Sequence, residues 1–146
     1  MKYWYACLLS IVALALSAQH KTITELNDTA ETLLNSNPVK ALEIARKASI
    51  EAEEVKAYAE YCRSLVLRGI ANYKVDNYEK ATERFDNAIG ECTKHADTPS
   101  LAYAIYWQGN IYLHNSEYAK ALDSYLQVAE LAAKTNDLKN LARSQD

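Results

Sequence analysis

The chain is short of residues that break a helix: its 146 residues include three glycines and two prolines. Sheets joined by tight turns draw heavily on those two residue types, so nothing here supports a sheet, and the abundant Ala, Leu, Glu and Lys favour helices. An excess of one charge is missing as well. Sixteen Lys and Arg stand against nineteen Asp and Glu, a formal net charge of -3, and the basic residues are scattered rather than gathered in a stripe that could follow a phosphate backbone. A nucleic-acid partner is therefore set aside. There is no Gly-rich loop to cradle a phosphate and no nucleophile elbow. His20, His95 and His114 stand far apart, none at a recurring ligand spacing to Cys, Asp or Glu. Glu51, Glu53 and Glu54 read as a solvated helix face. The expectation is a chain without catalytic residues, metal, cofactor or small-molecule substrate.

What the sequence does have is a period. From Asn77 to Ile89, the residues Tyr78, Ala81, Phe85, Ala88 and Ile89 are spaced to share one face of a helix. Forty residues later the same frame returns as Tyr118, Ala121, Tyr125, Val128 and Ala129, and forty earlier as Pro38, Ala41, Ala45, Ala48 and Ser49. Lys40, Lys80 and Lys120 keep the same step. One amphipathic stripe per fixed period marks a helical repeat array, in which each unit buries its apolar face only against its neighbours.

Residues 1–18 stand outside this pattern. Lys2 gives a positive start, Tyr3 to Leu16 is uncharged and apolar, and Ser17-Ala18 closes the run with small residues. This reads as a secretory signal peptide, because the run is shorter than the roughly 20 residues that span a bilayer. The cut falls after Ala18 or after Ala15. Cys7 sits too early in the run to accept a lipid at its end.

After the leader the chain reads as helix, tight turn, helix. Unit one covers about 22–56, with helices from Ile23 to Leu34 and from Ala41 to about Glu54. Unit two covers about 57–96, with helices at Ala57 to Lys74 and Tyr78 to Lys94 around a turn at Val75-Asp76-Asn77. Unit three covers about 101–136, with Leu101 to His114, a turn at Asn115-Ser116-Glu117, and Tyr118 to about Lys134. Thr135-Asn136-Asp137 reads as another turn. A fourth unit is expected from about residue 137, because Leu141-Ala142 falls forty residues after Leu101-Ala102. Solenoid ends need a polar cap, and none is written there, which implies a piece of a longer protein.

The repeated residues resemble a known family. Gly69 with Tyr78, Ala81, Phe85 and Ala88, and Gly109 with Tyr112, Tyr118, Ala121 and Tyr125, resemble the tetratricopeptide repeat, here at a period of 40 rather than the usual 34. Thr29 stands in for the Gly in unit one. Leu65 and Ile105 replace the family's early Trp, and Arg68 and Gln108 its Leu before the Gly. HEAT-type repeats have similar periods, but the paired Gly and the aromatic-Ala-aromatic spacing argue against them. The resemblance implies an all-α fold of antiparallel helix hairpins, about three units, stacked in a right-handed solenoid over residues 22–146. Gly69 and Gly109 cost helix stability, so their recurrence points to close approach of a neighbouring helix.

The same resemblance implies that first helices line a concave groove. On the matching positions its residues are Arg63, Val66, Ile70, Tyr73 and Lys74 in unit two and Tyr103, Tyr106, Asn110, Leu113 and His114 in unit three. Aromatic anchors with a few donors suit an extended peptide or partner helix. Val66, Ile70 and Tyr106 replace most of the family's carboxylate-clamp residues, so that ligand does not fit. Cys62 and Cys92 lie near matching ends of two antiparallel helices; they read either as a disulfide, which export permits, or as plain small packing residues like Ala102 and Ala52 at the equivalent positions. The expected function is an exported, periplasmic or secreted scaffold for a protein or peptide partner. The alternative is the periplasmic sensory region of a membrane-anchored histidine kinase or transcription regulator, with the membrane reached only through a segment beyond Asp146.

Overall fold

The computed structural model describes the backbone of residues 2–143 and the side chains of residues 8–136. Six helices follow one another: α1 (Lys2–Leu33), α2 (Pro38–Glu54), α3 (Tyr58–Lys74), α4 (Tyr78–Lys94), α5 (Thr98–His114) and α6 (Tyr118–Arg143). There is no strand among the described residues. The helices pair as α1/α2, α3/α4 and α5/α6, and each pair stacks on the next, α2 against α3 and α4 against α5. The expected all-α array of three hairpins is what the structure shows.

The links are more regular than the forty-residue period requires. Lys56, Asp76, Ala96 and Ser116 all adopt a left-handed backbone, with φ of 58°, 58°, 55° and 62°, and they fall at steps of twenty residues. At each, the next amide closes back five residues, as in Asn77 N–H to Asn72 C=O at 3.0 Å and Glu117 N–H to Tyr112 C=O at 2.8 Å. This is the Schellman ending, which usually recruits Gly at the left-handed position. None of these four is Gly, so each carries a left-handed cost of about 1–2 kcal/mol set against the satisfied helix-end carbonyls. The turns within the second and third hairpins and the turns between hairpins are thus the same device, while the α1–α2 turn closes instead from Asn37 N–H to the Leu33 carbonyl at 2.8 Å. At the starts, Asn37 and Asn77 accept the amides of Lys40 and Lys80, while Pro38 and Pro99 occupy the first turns of α2 and α5, where a missing N–H costs nothing.

Two helix boundaries differ from the sequence expectation. α1 does not begin at Ile23 but runs unbroken from Lys2, because no Gly or Pro interrupts the leader. Its residues 8–22 are all exposed, and Ile23 is the first buried side chain among those described. α6 does not turn at residues 135–137 but continues to Arg143; Thr135 donates to the Leu131 carbonyl of its own helix, which keeps the backbone helical there. The expected fourth unit at Leu141-Ala142, like Cys7, lies outside the described side chains.

The core follows the stripes. Ala41, Ala45, Ala81, Phe85 and Ala88 are fully buried together with Leu65, Val66, Leu67 and Ile70 of α3. A methyl group on Gly69 would stand 2.6 Å from Phe85 Cδ1, and one on Gly109 would stand 2.8 Å from Tyr125 Cε1 and 3.1 Å from Ser124 Cβ. Both glycines therefore make room for the aromatic ring of the returning helix. Of the remaining repeat positions, Tyr78 is half-buried, Tyr112 is half-buried and Ala121 is buried. Tyr118 does not pack, at 66 % exposed, because among the described residues no further helix lies over α6. For the same reason Leu122 and Leu126 are bare, whereas the outward positions of α1 are the polar Thr22, Glu25 and Thr29.

The glycines separate two effects on stability. Gly90 is exposed and has nothing within 4 Å of its missing Cβ, so Gly90→Ala should gain about 1 kcal/mol of helix propensity. Gly69→Ala has the same propensity gain but drives a methyl into Phe85, and overpacking of about 1–3 kcal/mol should reverse the sign. Urea midpoints of the two variants check this; a stabilised Gly69→Ala would mean that the helices are not held so close.

Candidate functional site

α1, α3 and α5 run side by side along one face of the array, with direct α1/α3 and α3/α5 contacts. Polar side chains clamp the first two. Asn27, fully buried, donates to the Glu60 carbonyl at 3.0 Å and to Glu60 Oε2 at 2.7 Å, and the buried Ser64 hydroxyl donates to Asn27 Oδ1 at 2.8 Å. Arg63 sits beside them, 2.7 Å from Asp28 and 2.6 Å from Glu31. Burial alone would lower its pKa, but the hydrogen bonds to Glu31 and Asp28 raise it overall. Arg63 is committed to α1 and is not a free hand for a ligand.

Between α3 and α5 lies a cavity of about 590 Å³. Its floor is Val66 and Leu67, its far wall Ala102, Tyr103 and Tyr106, and its near rim Glu31 and Arg63. Tyr103 and Tyr106 are 40 % and 42 % exposed, which is a large apolar area left in water beside an apolar floor. Trp107 anchors this wall from behind, with ring centroids 5.1 Å from Tyr73, 6.3 Å from Tyr103 and 6.0 Å from Tyr106. Lys74 Nζ lies 5.7 Å from the Trp107 ring centroid, a cation–π contact.

The ten residues expected to line the groove divide. Arg63, Val66, Tyr103 and Tyr106 line the cavity. Ile70 does not: it is fully buried in the core, because the stripe that faces the hairpin partner overlaps the groove positions on α3. Tyr73 packs against the core and Trp107, and Lys74 covers that Trp. Asn110 is occupied in accepting the Tyr125 hydroxyl at 2.7 Å. Leu113 and His114 lie at the far end of α5, the imidazole stacked on Tyr78 at 4.0 Å. Trp107 itself was not among the expected residues. Its sequence signal was present, a Trp four positions after Tyr103 and next to Tyr106, but the family positions did not include it.

The six helices, the three stacked hairpins and the aligned first helices match a solved structure. The TPR domain of Arabidopsis FLU superposes with a TM-score of 0.69 at 16 % sequence identity, over 80 % of this chain and 98 % of that one. The fold is that of a tetratricopeptide-repeat domain. No protein-family model matches the sequence, and no curated protein matches it either, so the TPR fold is carried by geometry at a sequence distance where motifs have faded. The cavity lies where successive TPR first helices meet.

Cys62 and Cys92 come together in the second hairpin as free thiols, both fully buried. A hydrogen bond to Cys62, then burial, pushes the Cys92 thiol far above its ordinary pKa. Among the described residues no cluster of three or more His, Cys, Asp or Glu could hold a metal ion. Because both thiols are fully buried and the reactive thiolate form is further disfavoured at Cys92, both cysteines should resist iodoacetamide at pH 8 in the native protein and react fully once it is denatured. Rapid labelling without denaturant would show that the second hairpin opens.

Proposed function

We propose that this TPR array is a protein-interaction scaffold that holds an extended peptide or partner helix in the cavity between α3 and α5. One observation carries the reading: Tyr103 and Tyr106 stand half-exposed over the apolar floor of Val66 and Leu67. Aromatic anchors beside a desolvated pocket are where interface energy concentrates. The fold likeness to another TPR domain supports a scaffold role without chemistry of its own. The test is selection from a displayed random-peptide library. The Tyr103→Ala/Tyr106→Ala double variant should keep its helix content and melting temperature yet bind the selected peptides about 2 kcal/mol or more weaker. Equal binding by the double variant would place the site elsewhere.

Export is part of this reading. The leader's apolar residues from Leu8 to Leu16 are exposed, and among the described side chains the packed core starts at Ile23, so a cut after Ala18 or Ala15 would remove none of the described core contacts. The mature chain released by an exporting host should begin at Gln19 or Leu16, as read by intact mass; an uncut chain would overturn the assignment. Among the described residues no helix is long and apolar enough to cross a membrane. A sensory role would be a narrower case, needing the same cavity and an apolar span of about 20 residues encoded beyond Asp146.

A further inference from the structure

On α3, Arg68 lies five positions after Arg63, roughly 140° further round the helix, and so faces away from the groove. Arg46 of α2 and Arg84 of α4 both act on it as like charges. Its Nη1 donates to Ser49 Oγ at 3.3 Å, and its Nε–H is buried with no partner. The ion pair this trio makes among the described residues is Arg84 with the exposed Glu83, at 3.9 Å. Nearby Glu53 and Glu91 act on Tyr61, and Tyr61 offsets only part of the effect on Arg68. Burial and the two like charges lower the pKa of Arg68, which is the signature of a cation short of a counter-charge.

The next repeat shows how such a junction is otherwise satisfied. Forty residues on, the places of Arg46, Arg68 and Arg84 are taken by Asp86, Gln108 and Ser124. There, Gln108 Nε2 donates to Asp86 Oδ1 at 2.6 Å. The first junction has a cation at the acceptor's place as well as at the donor's. We propose that the cluster of Arg46, Arg68 and Arg84 binds a phosphoryl oxyanion, which supplies the negative charge that Asp86 provides at the next junction.

The ligand class follows from the donors. Guanidinium groups present paired N–H bonds that match phosphate oxygens, and a phosphoryl group carrying close to two negative charges offsets three clustered cations better than one carboxylate would. The source is either free inorganic phosphate or a phosphate monoester. This site lies on the face opposite the cavity, so its success or failure leaves the groove reading where it stands.

The experiment is calorimetric titration of the purified chain at constant ionic strength with inorganic phosphate and, separately, phenyl phosphate, with chloride as the control. Saturable binding absent with chloride is expected. Arg46 is exposed, and Arg46→Asp restores the next junction's pairing within the chain. That variant should stay folded, melt no lower than the parent, and bind phosphate at least about tenfold more weakly, the loss expected for a charged hydrogen bond. Arg46→Lys should retain part of the binding. Response to inorganic phosphate alone assigns the free ion, and equal response to phenyl phosphate assigns a monoester; both support the site. No saturable binding with either probe, or unchanged binding by Arg46→Asp, would overturn it.

Discussion

The array depends on how closely a first helix can approach its returning partner. At Gly69 and Gly109 there is no side chain, and the rings of Phe85 and Tyr125 lie where a Cβ would be. Each glycine costs about 1 kcal/mol of helix propensity relative to Ala, yet the ring it admits fills the space between the helices. Burying an aromatic of that size is worth several times the propensity loss, on the order of 2–3 kcal/mol for Phe. With the two helices of a hairpin locked at short range, the apolar stripes of α2 and α4 are left facing outward, and the following hairpin must cover them. Hence the stacking follows from the hairpin.

The two faces of the stack then acquire different chemistry. First helices meet only at their edges, and the wedge between α3 and α5 stays open with an apolar floor. Between α1 and α3 the same wedge is closed by Asn27, Ser64 and Glu60, a satisfied network. In a partly buried setting such a network fixes one arrangement, because each unmade bond would leave a buried polar group unpaired. One wedge is therefore rigid and polar, and the neighbouring one is apolar and accessible. On the opposite face the junctions are trimmed by single polar pairs, and there Arg68 departs from the arrangement at Gln108.

Much of the fold is legible in the residues. The stripe from Tyr78 to Ile89 and its copies place three returning helices, and Gly69 and Gly109 place the close approaches. The twenty-residue step is not legible, since the left-handed positions are Lys56, Asp76, Ala96 and Ser116, which share no chemistry; helix length and the need to satisfy end carbonyls impose the turn. The groove is half legible. Tyr103 and Tyr106 could be placed by position, but Val66 and Ile70 are both buried core residues, and which of them also borders the cavity depends on tertiary packing. The continuity of α1 follows from a leader without Gly or Pro, and α6 continues through Thr135-Asn136-Asp137 because those residues form a turn only where tertiary packing asks for one.

The identical turns have a consequence for how such a chain can change through time. Since Lys56 and Ala96 hold the same backbone geometry two steps apart, excising the stretch between them would join one turn to its equivalent, with every surviving helix still in phase. The same holds for copying it. Unequal recombination that gains or drops forty codons would thus yield a shorter or longer solenoid rather than a scrambled one, and the distance between binding surfaces becomes a quantity that inheritance can adjust in fixed increments.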